Sequence, residues 1–453
     1  MVKDLTQGRP GRVLALFSIP SLISVVFQQL YNMADNVVAG QFLGDDALSA
    51  VSVSYPVTMI YMAVALGINI GCSVVISQLF GAKRMERMKT AVSTSLLSTS
   101  ALALSLMALG LIFCRPLLEL LNTPEHIMGP TAQYLRIYTC GLLFIFLYNT
   151  CTGIFTALGD TLTPLIFLIV SSLSNIGLDI VFVVKTDMGV GGLALATLIC
   201  QALAAVASFL VLLLRLRRIP SGRWELFSRP LLQTISTLAV PGIFQKSFVS
   251  VGNLLVQGLV NSYEATVPGI IGGFSSATKL IYLVVYVNSA MGSAVASFTA
   301  QNIGAGRLER LSRGLRSGVL ICLCVAVPAL VLFCGFPEAA MAVFVPAESV
   351  DIIRCGVTYL RIVSPFIAVV SMKQCCDGIL QGAGSAREFM ATTFSDLVLR
   401  VGLAYLLPLA MGYLGIWWAW PIGWFLGALL SCFFYRRGKG KEGHLLGRVC
   451  PPH

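Results

Sequence analysis

Two carboxylates stand within long apolar stretches where hydrocarbon would disfavour them. In the first stretch Gln28, Asn32 and Asp35 are spaced i, i+4, i+7 and share one helical face, with Asn36 alongside. In the fifth, Ser171, Asn175 and Asp179 are each four apart, and the sixth adds Thr197 and Gln201 one turn apart. An ionisable side chain inside a bilayer costs about 2.5–3.5 kcal/mol on insertion scales, so each demands a use. Carboxylates among amide and hydroxyl oxygens make a hard-oxygen site suited to Na⁺. The same two acids, buried together, can equally carry a proton. Interhelical hydrogen bonding accounts for Ser171 or Gln201, but not for two acids without an intramembrane Lys or Arg in the same half.

The elements that position these groups follow from composition. Of 453 residues 57% are hydrophobic and 11% charged, with mean hydropathy +0.85, which excludes a soluble globular domain. Residues 90–113 and 191–214 are uncharged for longer than the roughly 20 residues that cross a hydrocarbon core. Twelve spans are predicted, near 13–39, 54–80, 90–113, 132–158, 163–185, 191–214, 234–261, 269–301, 315–335, 357–381, 389–411 and 415–435. The fold class is therefore an all-α polytopic membrane protein. With the N-terminus in the cytoplasm, the 31 Lys and Arg residues divide as 22 inside, 5 outside and 4 within the membrane, the bias that sets topology. Both termini are then cytoplasmic, and the first span is expected to stay as an uncleaved anchor. The net charge of +11 belongs to loops facing anionic lipid and calls for no nucleic-acid partner.

The two halves of the chain repeat. Ile19-Pro20 recurs as Val240-Pro241, and Gln78-Leu-Phe-Gly-Ala-Lys-Arg-Met-Glu-Arg87 as Gln301-Asn-Ile-Gly-Ala-Gly-Arg-Leu-Glu-Arg310. Tyr134-Leu-Arg-Ile137 recurs as Tyr359-Leu-Arg-Ile362, and Gly153-Ile-x-x-x-x-Gly159 as Gly378-Ile-x-x-x-x-Gly384. The offset stays within 221–225 residues. Six spans per unit is an even number, so the halves are a parallel repeat of two pseudo-symmetric six-helix bundles, able to rock around a central cleft. The expected organisation is a lobe over 1–214, a cytoplasmic linker over 215–230, a lobe over 231–436 and a tail over 437–453. The second half has changed sign: Asn32 maps to Asn253, Asp35 to Val256, Asn175 to Arg400 and Asp179 to Ala404. Lys246, Lys373, Asp377 and Asp396 join Arg400 there. Asp396 and Arg400, at i and i+4, are expected to pair; Lys373 either pairs with Asp377 or faces the cleft. Asp160, Arg387 and the Gly159 and Gly384 loops read as turns or gates.

Other chemistry finds little support. Most of the 13 cysteines lie in apolar runs and behave as small apolar residues. The three histidines, His126, His444 and His453, all fall outside the spans, which argues against a metal centre or a membrane-embedded enzyme. No Gly-x-x-x-x-Gly-Lys-Ser/Thr phosphate loop occurs.

The two-lobe pattern and the segment Pro20…Asp35-x-x-x-x-Gly40-x-x-x-Gly44 resemble the multidrug and toxic compound extrusion (MATE) family over residues 10–435. Asn175-x-x-x-Asp179 followed by Thr197 is the most specific part of the likeness. The resemblance implies that Asp35, Asn175, Asp179 and Thr197 bind the coupling cation and that Pro20 is the bending proline of the first helix. It also implies export of varied, often cationic and lipophilic compounds driven by Na⁺ or H⁺ influx, without ATP or another cofactor. The acid that another branch of the family carries in its seventh helix is missing from Phe244-Gln-Lys-Ser-Phe-Val-Ser250. Cleft-lining candidates are Gln28, Asn32, Asn149, Gln201, Asn253, Gln257 and Lys373. The expected protein is a monomeric antiporter of the cell (inner) membrane whose partners are small-molecule substrates and the bilayer. The competing expectation is a flippase for lipid-linked sugars or other polar lipids, which would require Lys246, Lys373 and Arg400 to line one open cavity.

Overall fold

A computed structural model describes residues 4–439 apart from 43, 122, 187 and 347, with the side chains of 32–48, 184 and 439 outside the description. Every regular element among the described residues is helical, as a chain in hydrocarbon requires, because a helix satisfies its backbone N–H and C=O groups internally. The first half holds α1 (Pro10–Phe42), α2 (Gly44–Gly81), α3 (Met85–Ile112), α4 (Glu125–Cys140), α5 (Leu142–Ala157), α6 (Leu162–Ile180) and α7 (Gly189–Arg218). The second holds α8 (Arg229–Ser262), α9 (Ile270–Gly304), α10 (Glu309–Gly335), α11 (Val350–Val363), α12 (Ile367–Gly382), α13 (Ala386–Leu406) and α14 (Leu414–Lys439).

Ten stretches among the described residues are long and apolar enough to cross a membrane, one of them running through α11 and α12, and α4 with α5 forms an eleventh across a 46° bend. The seventh expected span, α8, falls outside these eleven although it is 34 residues long; Gln245, Lys246 and Asn253 lower its apolar character. The fourth and tenth spans, expected as single rods, are broken. The fourth breaks at Gly141, and the tenth at one 3₁₀ turn, Ser364–Phe366, where Pro365 lacks the N–H to continue the helix. The breaks fall at equivalent places in the repeat, as do the left-handed glycines Gly159 (φ 78°) and Gly384 (φ 73°), and Gly189 (φ 57°) and Gly412 (φ 59°). The last pair are 223 apart in number, so α7 and α14 correspond at that offset of the repeat.

By packing, one unit comprises residues 1–4 and 23–247, and the other residues 5–22 and 248–453. The opening stretch of each half's first helix thus belongs to the other half's unit: α1 changes unit just after Pro20, and α8 six residues after Pro241. The segments ahead of these helices are tied down by hydrogen bonds. In the second unit Leu5 N donates to Gln301 Oε1 (3.0 Å), Asn302 Nδ2 to Leu5 O (3.3 Å) and Arg307 to Thr6 O (2.6 Å). In the first, Glu225 N donates to Thr90 Oγ1 (3.1 Å), Ser228 N to Thr94 Oγ1 (3.0 Å) and Lys89 Nζ to Ile219 O (2.7 Å).

The second unit is built around aromatic rings. Trp417 stacks on Phe274 at 5.2 Å and meets Tyr359 edge-on at 5.0 Å; Trp420 lies 5.8 Å from Trp424. Helices α9 and α12 approach backbone to backbone. A Cβ on Gly292 would stand 2.8 Å from Gln374 O, and one on Gly378 would collide with the Gly292 carbonyl, the close approach that small residues permit in membranes. At the equivalent crossing in the first unit Asn69 Nδ2 donates to Asn149 O (2.9 Å) instead. Large apolar side chains such as Leu203, Leu406 and Ile112 stand exposed, a liability in water but the natural coat of a lipid-facing surface.

Candidate cation site and the charged interior of the second half

The polar stripe of α6 meets α1 and α7 at Asn175. Asn175 and Asp179 are buried, with 2% and 0% exposure. The Asn175 amide, oriented to give each of its polar atoms a complementary partner, donates from Nδ2 to Tyr31 Oη (2.5 Å) and to Asp179 Oδ2 (3.3 Å), and accepts at Oδ1 from the backbone N of Thr197 (3.1 Å). Three of the four residues expected to hold the cation, Asn175, Asp179 and Thr197, are therefore in one network. The side chains of Asp35 and Asn32 lie outside the described residues. Tyr31 was not anticipated; its only signal is its place one turn before Asp35 on the same face of α1. Directly after Asp179 the helix passes into a five-residue π turn, Val181–Lys185. Such turns are frequent at functional sites because they re-aim the side chains around them.

At the N-terminal end of α6 a second acid is fully engaged. Asp160, 2% exposed, accepts from Thr163 N (3.1 Å) and Thr163 Oγ1 (2.8 Å), and pairs with Arg215 at the end of α7. Arg215 also donates to Thr163 Oγ1 (2.8 Å) and lies 5.4 Å from the centre of the Phe155 ring. This clamp ties the α5–α6 turn to α7. Ser385 occupies the equivalent position in the second half.

The second half answers the question left open for Lys373. Lys373, 6% exposed, pairs with Asp377 (2.8 Å) and lies 3.6 Å from Asp396. It is held in an interior node between two carboxylates. Asp377 Oδ1 also accepts from Thr392 (3.1 Å) and Ser431 (2.6 Å), so α12, α13 and α14 converge on one carboxylate. The expected Asp396–Arg400 pair does not form among the described residues. Spacing of i, i+4 only allows two side chains to meet; here Lys373 from α12 takes Asp396, and the Arg400 guanidinium lies 4.3 Å from the centre of the Trp420 ring, a cation–π contact. The bare face of α14 makes room for this, since a Cβ on Gly427 would stand 2.7 Å from Lys373 Cε.

The remaining candidates are dispersed. Gln28 and Gln201 are half-buried in the first unit, where Asn149 Nδ2 donates to Ile145 O (2.8 Å) within its own helix. In the second unit Gln257 donates to Asn261 Oδ1 (2.8 Å), and Asn253 is half-buried with its Oδ1 lacking a partner among the described residues.

Comparison with known proteins bears on the whole chain. The MatE family model matches residues 20–181 and again 241–406, so the two matches start 221 and end 225 residues apart, the bounds of the repeat read from the sequence. "Probable multidrug resistance protein YoeA" of Bacillus subtilis is 28% identical over 440 residues, covering 94% of this chain and 93% of its own length. The "FAD transporter" of Shewanella oneidensis is 25% identical over 310 residues, covering 67% of this chain and 68% of its own. A crystal structure of MATE in complex with MaL6 has the same fold, with a TM-score of 0.90 at 23% identity over 97% of this chain and 99% of that one. The chain is a twelve-span, two-bundle membrane protein of the multidrug and toxic compound extrusion (MATE) family.

Proposed function

We propose that the protein is a secondary active antiporter that exports small organic compounds, cationic and lipophilic in character, in exchange for H⁺ or Na⁺. Asp35, Asn175, Asp179 and Thr197 form the coupling site. The observation that carries this reading is the network in which a fully buried carboxylate, Asp179, is bound to Asn175 where α1, α6 and α7 meet. A buried acid of this kind gains most from a bound cation, because either ligand removes a charge that is costly to keep dry. Cation binding lets the Asp35 stripe of α1 pack, and release restores charge that favours the conformation in which it is hydrated. Helix α1 suits transmission of that change, since it carries Asp35 in one packing unit and Pro20, where its hydrogen-bond ladder is interrupted, in the other. In this reading the protein is a monomer in the cell membrane with both termini cytoplasmic and needs no cofactor. The flippase alternative loses its support, because Lys373 and Arg400 are each only 6% exposed and Lys373 is already paired.

The test is dye-cation efflux from proteoliposomes under separately imposed Na⁺ and pH gradients. Asp179→Asn and Asp35→Asn are expected to reduce gradient-driven efflux to the leak rate while the protein still reconstitutes as a folded monomer. Gradient-driven efflux at the wild-type rate in either variant would refute the coupling assignment.

A further inference from the structure

Four cysteines of the second half meet as two pairs on three helices. Cys375 and Cys376 are consecutive on α12, so their side chains leave the helix about 100° apart. Cys375 turns to α10, where its sulfur lies 4.0 Å from that of Cys322. Cys376 turns to α14, where its sulfur lies 3.8 Å from that of Cys432. Both approaches are built into the packing. On α10 a Cβ on Gly318 would stand 3.3 Å from Cys375 Sγ, so the missing side chain leaves that thiol its place. Between α12 and α14 the neighbouring residues, Asp377 and Ser431, are joined by the 2.6 Å hydrogen bond, which brings Cys376 and Cys432 to the same level. In the first half the positions matching Cys375 and Cys376 at the offset of 225 are Thr150 and Cys151, so only one of these two thiols recurs there.

The two pairs differ in access. Cys322, Cys375 and Cys376 are fully buried. Cys432 is only half-buried, and the exposed apolar residues Leu429 and Phe433 stand beside it on α14. A reagent arriving from outside therefore meets Cys432 before the other three, and the sulfur waiting next to it is that of Cys376. Access of this kind decides which thiols react and which stay inert. A disulfide needs its sulfurs about 2.05 Å apart. The gap between Cys376 and Cys432 closes to that length by side-chain rotation on helices that Asp377 and Ser431 already hold together.

We propose that Cys432 and Cys376 form an oxidative modification site for a lipid-soluble organic hydroperoxide, which converts the two thiols into a disulfide joining α14 to α12. The Cys432 sulfur attacks the terminal peroxide oxygen; an S–O bond forms and the O–O bond breaks. The thiol proton leaves with the alkoxide as an alcohol, and Cys432 is left as a sulfenic acid. The Cys376 sulfur then attacks the sulfenic sulfur; the S–S bond forms, the S–O bond breaks, and hydroxide leaves with the Cys376 proton as water. Two thiols are oxidised and one hydroperoxide is reduced. The apolar span around Cys432 selects an oxidant that dissolves in hydrocarbon. Cys322 and Cys375, enclosed between α10 and α12, stay reduced. The disulfide fixes α12 against α14 beside the Lys373 node until a thiol reductant reverses it. This site stands independently of the antiporter reading.

The test treats the full chain in lipid nanodiscs with cumene hydroperoxide or with hydrogen peroxide at equal concentration. Remaining thiols are blocked with N-ethylmaleimide under denaturing conditions, and linked peptides are mapped by mass spectrometry. The expected product is a Cys376–Cys432 linked peptide that forms faster with cumene hydroperoxide and is lost on treatment with dithiothreitol, while a Cys322–Cys375 peptide stays at background. In Cys376→Ala the sulfenic acid has lost its resolving thiol, so dimedone is expected to label Cys432. Should that variant fail to fold, the wild-type map decides the question alone, since it needs no substitution. Absence of the Cys376–Cys432 peptide, equal linkage of Cys322 with Cys375, formation no faster with cumene hydroperoxide, or a folded Cys376→Ala without dimedone on Cys432 overturns the proposal.

Discussion

The Asp160 clamp yields a prediction whose size follows from its contacts. Asp160→Ala removes the ion pair with Arg215 and both acceptors of Thr163. Deleting one partner of a fully buried pair costs about 3–5 kcal/mol, chiefly because the other charge is stranded. Arg215 is not so dry: its side chain is 24% exposed, so water recovers part of its charge, and the ionic share falls to about 1–3 kcal/mol. The lost cap at the start of α6 adds about 1 kcal/mol, for a total of about 2–4 kcal/mol. For a packing unit of roughly 200 residues this lowers the melting temperature by about 4–16 °C, readable by tryptophan fluorescence in nanodiscs. Asp160→Asn keeps an oxygen for Thr163 N and should fall between wild type and alanine. Arg215→Ala strips the buried Asp160 of its ion pair, and the double variant should be less damaged than the sum of the two singles by about 1–3 kcal/mol. Strict additivity, or an asparagine variant as unstable as the alanine one, would refute the assignment of the clamp as a coupled ionic unit.

Two further expectations concern the second unit. Gly378→Ala places a methyl group against the Gly292 carbonyl and should cost about 1–3 kcal/mol or more through forced separation of α9 and α12, seen as loss of monodisperse protein by size exclusion. Gly402→Ala on α13, where a Cβ would meet nothing within 4 Å, is the matched control and should leave the yield unchanged. Trp420→Leu removes the ring face beneath Arg400 and part of a side chain only 2% exposed, for a loss below the roughly 3–5 kcal/mol of truncation to alanine. Trp420→Phe retains a weaker π-face and should lie between leucine and wild type in thermal unfolding.

The spans, their number and the repeat were legible without coordinates, because each depends on local sequence. A helix in hydrocarbon needs only enough consecutive apolar residues, and the twofold MatE match falls on the same 221–225 offset that the recurring Pro, Gln-x-x-Gly and Tyr-Leu-Arg-Ile landmarks define. The polar stripe of α6 was legible for the same reason, since helical period alone puts Asn175 and Asp179 on one face. The breaks of the fourth and tenth spans were not: Gly141 and Pro365 permit a break, but its 46° angle at Gly141 is set by what packs around it. The π turn after Asp179 left no mark in the residue types.

Charged residues divided the same way. The sequence by itself established that the second half carries Lys373, Asp377, Asp396 and Arg400 where the first carries Asn175 and Asp179. It could not say who holds whom. Spacing along a helix limits which side chains can reach each other, whereas the partner taken depends on competitors presented by other helices. Lys373 reaches both Asp377 and Asp396, Trp420 takes Arg400, and Tyr31 comes to Asn175 from 144 residues away. Only tertiary packing decides among such partners, because their free energies depend on burial and approach distance, and neither is encoded in any one segment.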